Sequence, residues 1–293
     1  MTLTDDTGQM LLRVAVFVGV FAILAIFERL RPRRVLSLPR ARRWVTNLSI
    51  VGIDSLIVRA MALLAVPLAA VAAAIFAESH SAGLFNWVAL PAWLETLLAI
   101  LALDLAIWAQ HVASHKIPLF WRLHQMHHAD VDIDVTTALR FHPVEIALSM
   151  IWKIICVIAL GASPLAVILF EVLLNASAMF SHANIALSSP IDRGLRTVIV
   201  TPDMHRVHHS VLLREHDSNF GFNLSIWDRL FGTYTAQPKN GHEGMTIGLA
   251  SYQTAAPAGL LWSLILPLRP LLPEKAESRS IVEERSQFRP GSE

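Results

Sequence analysis

Cysteine is nearly absent. The one thiol in 293 residues is Cys156, inside an apolar run. A single cysteine excludes a disulfide framework or a thiolate metal site within one chain, and its surroundings mark it as a packing residue. Charge is scarce as well. Only 16% of residues are charged, against about 25% in an ordinary soluble domain, and the formal net charge is +1. Such a chain lacks the basic face that nucleic acid demands, so no nucleic-acid partner is expected. No basic n-region or small-residue cleavage site precedes Glu28, so the first apolar run is expected to be a permanent anchor. Apolar surface is what the chain has in abundance. At 54% hydrophobic residues it is an integral membrane protein.

The apolar runs set an order. Residues 10–27 predict a first span, and the loop after it holds Arg29, Arg31, Arg33, Arg34, Arg40, Arg42 and Arg43. By the positive-inside rule that loop is cytoplasmic. A second span is expected within 44–76, an outer loop with a solvated His80 follows, and a third span over 87–110 returns to the cytoplasm. From 146 to 180 the chain is apolar except for a G-A-S-P turn at 161–164, which predicts a helical hairpin of two arms of about 15 residues. Lys153 and Glu171 lie on opposite arms, and Glu171 is either a functional carboxylate or a partner for Lys153. Residues 1–100 are thus expected to be N-terminal transmembrane helices and 101–252 a catalytic domain that includes the hairpin. Residues 253–273 are expected to be interfacial or re-entrant, and 274–293, charged and Ser-rich, a disordered tail.

Histidine supplies the chemistry. Between 111 and 128 stand His111, His115, His124, His127 and His128, in the order H-x-x-x-H then H-x-x-H-H. Residues three or four apart share a helical face, and Pro118 between the groups ends one helix and starts the next. A second H-x-x-H-H, His205, His208 and His209, lies about eighty residues on, and the hairpin returns the chain to the same side. His182 is a ninth candidate. Imidazole suits iron, zinc, copper and nickel, and eight or nine ligands exceed what one ion takes, so two metals are implied. A two-metal site at the membrane surface fits oxidation of a lipid C–H bond. Asp104, two turns before His111, could orient a ligand through its second ring nitrogen or could be a buried polar residue near the interface.

These motifs carry a resemblance. H-K-I-P-L-F-W-R-L-H-Q-M-H-H, T-T-A-L-R-F-H-P-V-E, S-H-A-N-I, T-P-D-M-H-R-V-H-H-S and D-S-N-F-G-F-N-L-S-I-W-D-R-L-F-G-T-Y resemble, in order, the landmarks of the fatty acid hydroxylase/sterol desaturase superfamily of membrane di-iron enzymes. The resemblance covers about Asp104 to Tyr234. It implies an all-α fold, an integral membrane helical bundle with a cytoplasmic histidine-rich di-metal cap. It also implies two iron ions, O2 as co-substrate, and a lipid or sterol drawn from the bilayer and hydroxylated or desaturated. The eight box histidines and His182 would be iron ligands. His142 would lie outside the ligand set or join it, and Arg140 and Glu145 would pair to hold the connector. Asn219 and Asp228 would support the metal-bearing segment, whereas His216 and His242 match no family ligand and are expected at the surface. The family often has an aromatic hydroxyl where Trp108 stands, and no cytochrome b5-like domain is fused on, so a separate ferredoxin or cytochrome b5-like electron carrier is expected. Two alternatives remain: an acyl-chain desaturase of the other histidine-box family, whose first boxes are usually further apart, and a divalent-metal transporter or sensor.

Overall fold

The computed structural model describes residues 6–64 and 69–271. Among them the fold is all-α with no strand, only isolated bridges such as Pro32 to Ile185. The long helices are α1 (Asp6–Leu30), α2 (Arg40–Leu64), α3 (Ala70–Ser79), α5 (Ala92–Lys116), α6 (Pro118–His128), α7 (Pro143–Leu160) and α8 (Pro164–His182). The shorter α4 (Leu84–Trp87) precedes α5. After α8 come α9 (Ser189–Leu195), α10 (Pro202–His208), α11 (Leu213–His216), α12 (Ile226–Leu230), α13 (Gly241–Gly244) and α14 (Leu260–Ile265). Four of them, α2, α5, α7 and α8, are long and apolar enough to cross a membrane, so the chain is a multi-pass membrane protein. The second expected span divides instead into α2 and α3, and the tail 274–293 lies outside the described residues.

Proline and glycine place the boundaries as their backbone preferences require. Pro118 is the first residue of α6, immediately after Ile117 ends α5. The hairpin turns at Gly161, whose φ of +65° is the left-handed conformation that ends many helices, and Pro164 opens α8. The arms run 18 and 19 residues, longer than their apolar cores suggest, because Pro143 and His182 extend them at either end. At 1.5 Å per residue they span about 27–29 Å, close to a full hydrocarbon core. Gly83 (φ +93°) lies against the same turn, and a Cβ there would sit 2.2 Å from the Gly161 nitrogen.

Packing within the bundle is apolar. Leu103, Ile107, Ile154, Val157, Val167 and Phe170 form one core between α5, α7 and α8, and Cys156 packs at its edge. Glu171 bonds Lys153 across the hairpin at 2.9 Å and also pairs with Arg13 of α1, so it is a structural ion partner.

A polar clamp positions the histidine helices. Arg43 is fully buried. It holds both carboxylate oxygens of Asp130 at 2.8 Å, pairs with Asp134, and donates to Thr137 Oγ1. Arg140 donates to Met126 O at 2.9 Å, to Asn47 Oδ1 at 3.0 Å, and to Pro257 O and Ser263 Oγ at 2.8 Å. The expected Arg140–Glu145 pair is therefore absent among these bonds. The guanidinium is spent on the end of α6, on α2 and on the segment around α14. That last segment packs Leu266 against Met126 and Ala129, which fixes α6 from outside. Asn184 of S-H-A-N-I bonds Arg34 in both directions, tying the end of α8 to the arginine loop.

Candidate metal centre

Four helix ends deliver the histidines. His111 and His115 lie in the last two turns of α5, His124, His127 and His128 in α6, and His205 and His208 in α10. His182 ends α8, and His209 follows α10. All nine expected ligands come together, in two groups. His111, His115, His124, His128 and His208 form the first, and His127, His182, His205 and His209 the second. In each group the potential ligand atoms lie within 4.8 Å of one another. The H-x-x-H-H boxes are split between groups. His124 and His128 face one pocket, and His127 the other.

The ring geometry of the first group is regular. His111, His124, His128 and His208 close a belt with successive centroid separations of 5.0, 4.9, 4.7 and 4.6 Å. His115 caps this belt, 4.7–5.2 Å from each member. The second group lies against the belt, with His127 5.2 Å from His128, His209 4.6 Å from His128 and His205 5.0 Å from His208.

Hydrogen bonds decide which nitrogens face inward. The Nδ1 of His111 bonds Phe220 O at 2.7 Å, that of His208 bonds Ser218 O at 2.6 Å, and that of His182 bonds Ala178 O at 2.7 Å. A carbonyl only accepts, so Nδ1 carries the proton and Nε2 keeps its lone pair. The Nδ1 of His124 bonds Glu145 Oε1 at 2.7 Å. Nε2 of His111 and of His208 is buried with no partner. In the second group Nε2 atoms approach to 3.0–3.3 Å along His127, His182, His205 and His209. Buried, inward lone pairs whose rings donate outward to carbonyls and a carboxylate are what a metal-binding imidazole set requires. The residues therefore fit two cations, with ligands that are all nitrogen.

Burial also keeps the rings neutral and ready to ligate. It pushes His124 down to about 3, and His127, His128, His205, His208 and His209 well below the ordinary imidazole value. The sign follows from linkage. Below about 6.5 the unfolded chain binds protons that the folded cap does not, so the stability present above that pH is lost as pH falls toward 3. Thermal melts of the metal-free protein are expected to drop from pH 7 to pH 5. Each such imidazole contributes up to about 1.4 kcal/mol per pH unit. A flat profile would contradict the burial.

The supporting residues differ from expectation in instructive ways. Asp104 touches no histidine. It accepts from Asn223 N, Leu224 N and Trp227 Nε1 (2.8 Å), because seven residues of helix, about 10 Å, separate it from His111. Asp228 acts at one remove. It accepts from Phe220 N at 2.8 Å, Gly221 N at 2.9 Å and Trp108 Nε1 at 3.1 Å, holding the residue whose carbonyl orients His111. Asn219, in the left-handed region at φ +54°, donates to Met204 O and Thr235 O and accepts from Thr235 N. S-N-F-G is thus a loop of orienting carbonyls. His142 caps α7, accepting from Val144 N, and bonds Leu264 O, apart from both pockets. His80 is exposed as expected. His216 and His242 are not at the surface; both are buried, and His216 adjoins the first group.

Glu145 bonds His124 in place of the expected Arg140; this partner stands 21 residues away in sequence, and no local spacing announces it. Glu145→Ala is expected to weaken metal binding about 10–100-fold, read by chelator competition. An unchanged affinity would show that His124 needs no carboxylate.

Fold and site together define a membrane helical protein with paired polyhistidine pockets at its helix ends. A sequence model described as fatty acid hydroxylase matches residues 96–233, which contain all nine histidines. Over that region, just under half of its length, the chain is similar to the fatty acid hydroxylase family. Among its relatives is the ornithine lipid hydroxylase OlsE of Rhizobium tropici, 30% identical over 151 residues, which are 51% of this chain and 44% of that protein. The alkylglycerol monooxygenase of Homo sapiens is 29% identical over 157 residues, 53% of this chain and 34% of that one. The Danio rerio alkylglycerol monooxygenase is 29% identical over 174 residues, covering 58% and 37%. Each match spans less than half of the relative's own length. No solved structure matches.

Proposed function

We propose that this protein is a membrane-bound, two-iron, O2-dependent enzyme that hydroxylates a C–H bond of a lipid, with its pockets on the cytoplasmic face. The observation that carries the reading is the sorting of nine imidazoles, eight of them on buried residues, into groups of five and four, with His111, His115 and His182 supplied by the ends of long apolar helices. His111, His115, His124, His128 and His208 would hold one iron, and His127, His182, His205 and His209 the other. When bound, the pair supplies the redox chemistry that activates O2 toward an unactivated C–H bond. The balance is one C–H, one O2, two electrons and two protons in; one C–OH and one water out. The electrons need a separate carrier, ferredoxin or cytochrome b5-like.

The chain's own residues have definable parts in this. Glu145 and the carbonyls of Ser218, Phe220 and Ala178 hold four rings in one tautomer. Phe141 stacks on His127 at 4.4 Å and, with Phe220 and Trp121, gives the histidines apolar neighbours. Because α5 and α8 both end in pocket residues, a lipid reaching the metals from the bilayer would travel along those helices. The relatives are named for a hydroxylase and a monooxygenase of lipids, which favours hydroxylation over desaturation and over the second histidine-box family.

Comparing the lipids of cells with and without the protein tests this directly. One lipid class should gain 16 mass units when the protein is present and O2 is supplied (one oxygen inserted). Loss of two hydrogens would turn the reading to desaturation. Metal flux into liposomes with no O2 uptake would replace it with transport.

A further inference from the structure

His216 is one of two buried histidines that the nine-ligand set leaves over, and the one whose ring adjoins a pocket. It ends α11, seven residues past His209, and carries no hydrogen bond or ion pair to another side chain. Its ring lies 4.4 Å from that of His128, 4.8 Å from His115 and 6.0 Å from His208, and Trp121 meets it edge-on at 4.9 Å. Lys116 at the end of α5 pairs with Asp217, which ties this corner to the helix that carries His111 and His115.

The position excludes one role and favours another. Imidazoles bound to one ion at about 2.1 Å stand about 4.5 Å apart at right angles across it, and about 6.4 Å when opposite. The sixth direction of the first group lies opposite His115, whereas the ring of His216 is 4.8 Å from that of His115. His216 therefore sits outside the ligand shell, behind the edge formed by His115 and His128.

What lies behind a metal-bound histidine is normally the acceptor for its second nitrogen. Four of the nine have theirs: Phe220 O, Ser218 O, Ala178 O and Glu145. His128 has none, and its Nδ1 is buried without a partner. The Nδ1 of His216 is likewise buried without a partner. The two rings are the nearest neighbours in this corner, 4.4 Å apart between centroids and at 66° to each other.

We propose that His216 is a positioning residue, whose Nδ1 accepts the Nδ1–H of His128 and so aims the His128 Nε2 into the first pocket. This rests on the reading of the nine histidines as ligands. It gives the first pocket a fourth anchor on its belt, after Phe220 O for His111, Ser218 O for His208 and Glu145 for His124, and leaves no belt ring free to turn. It also makes α11 part of the metal centre, which the box pattern alone does not include.

The test uses the full chain purified in detergent and loaded with iron, compared with His216→Asn and His216→Leu. The Asn amide oxygen sits close to where Nδ1 stood and can still accept, whereas Leu fills the space and cannot. Metal retention against a graded chelator and the spectrum of the Co(II)-loaded protein are read for each. His216→Leu is expected to release one of two metals about 10–100-fold more readily, to hold the other as the wild type does, and to change the Co(II) bands of one site. His216→Asn is expected to retain both metals nearly as well as the wild type. The unaffected second metal reports that the fold is intact. Equal retention and spectra in the wild type and His216→Leu would overturn the proposal, and so would an Asn variant as weak as the Leu variant. If the wild type itself holds no metal, the ligand reading fails, which is a different result from either.

Discussion

Alanine at His208 is expected to cut turnover by at least about a hundredfold while the protein still inserts into the membrane in normal amount. The ring does two things that no neighbour can replace. Its Nε2 is a buried, unpartnered lone pair, and its Nδ1–H is locked on Ser218 O at 2.6 Å. It belongs to the belt of the first group, so its loss opens that group on the side touching His205, whose ring is 5.0 Å away. The helices that meet the membrane requirement are α2, α5, α7 and α8, whereas His208 ends α10 in the cap. Insertion and chemistry are therefore separable. His124→Ala is expected to behave in the same way, since it removes a belt ligand and strands Glu145. Normal turnover in either variant, measured as lipid oxidation per mole of protein in isolated membranes, would show that the pockets are not the reacting centre.

The second large effect is on stability. Arg43→Ala is expected to destabilise the protein by about 3–5 kcal/mol, because it leaves buried carboxylates without their countercharge. Arg43 is the hub of the clamp between α2 and the connector after α6. It grips Asp130 with two nitrogens, pairs with Asp134 and reaches Thr137. Lysine is expected to rescue little, since a point charge cannot reproduce the planar fork on Asp130. Chemical denaturation in detergent measures this, with metal content as a second readout. A loss below about 1 kcal/mol would mean that water or a rearranged Asp130 replaces the guanidinium, and that the clamp does not position α6.

The contrast between these two residues shows what the sequence carries. His208 is visible because its meaning is local. H-x-x-H-H puts rings one turn apart, and no common structural need asks for that pattern. Pro118, Gly161 and Pro164 are visible for the same reason, since their backbone preferences act within a residue or two. Arg43 is hidden. In the sequence it is one of seven arginines in a loop, and its charge says only which side of the membrane the loop prefers. Its partners stand 87 and 91 residues away. Glu145 fails in the same way. F-H-P-V-E marks a helix start, which is correct, but the carboxylate turns to His124 and not to nearby Arg140. His216 was expected at the surface because no box claims it, and only tertiary packing places it beside His128. The orienting carbonyls of Ser218 and Phe220 belong to backbone, and a side-chain pattern cannot announce them. The landmark D-S-N-F-G marks the segment, though not its task. The hairpin of α7 and α8 is legible because its Gly161 and Pro164 turn is local. Its two arms return the chain to the side of the first boxes, and there His182 meets His127 and His205.

Metal analysis of the purified protein tests the two-iron claim most directly. The wild type should contain about two irons per chain, while His111→Ala, in the first group, and His182→Ala, in the second, should each retain about one. A wild type with about one iron or none, or single-group variants that keep the full amount, would contradict the assignment of the nine histidines to two metal pockets.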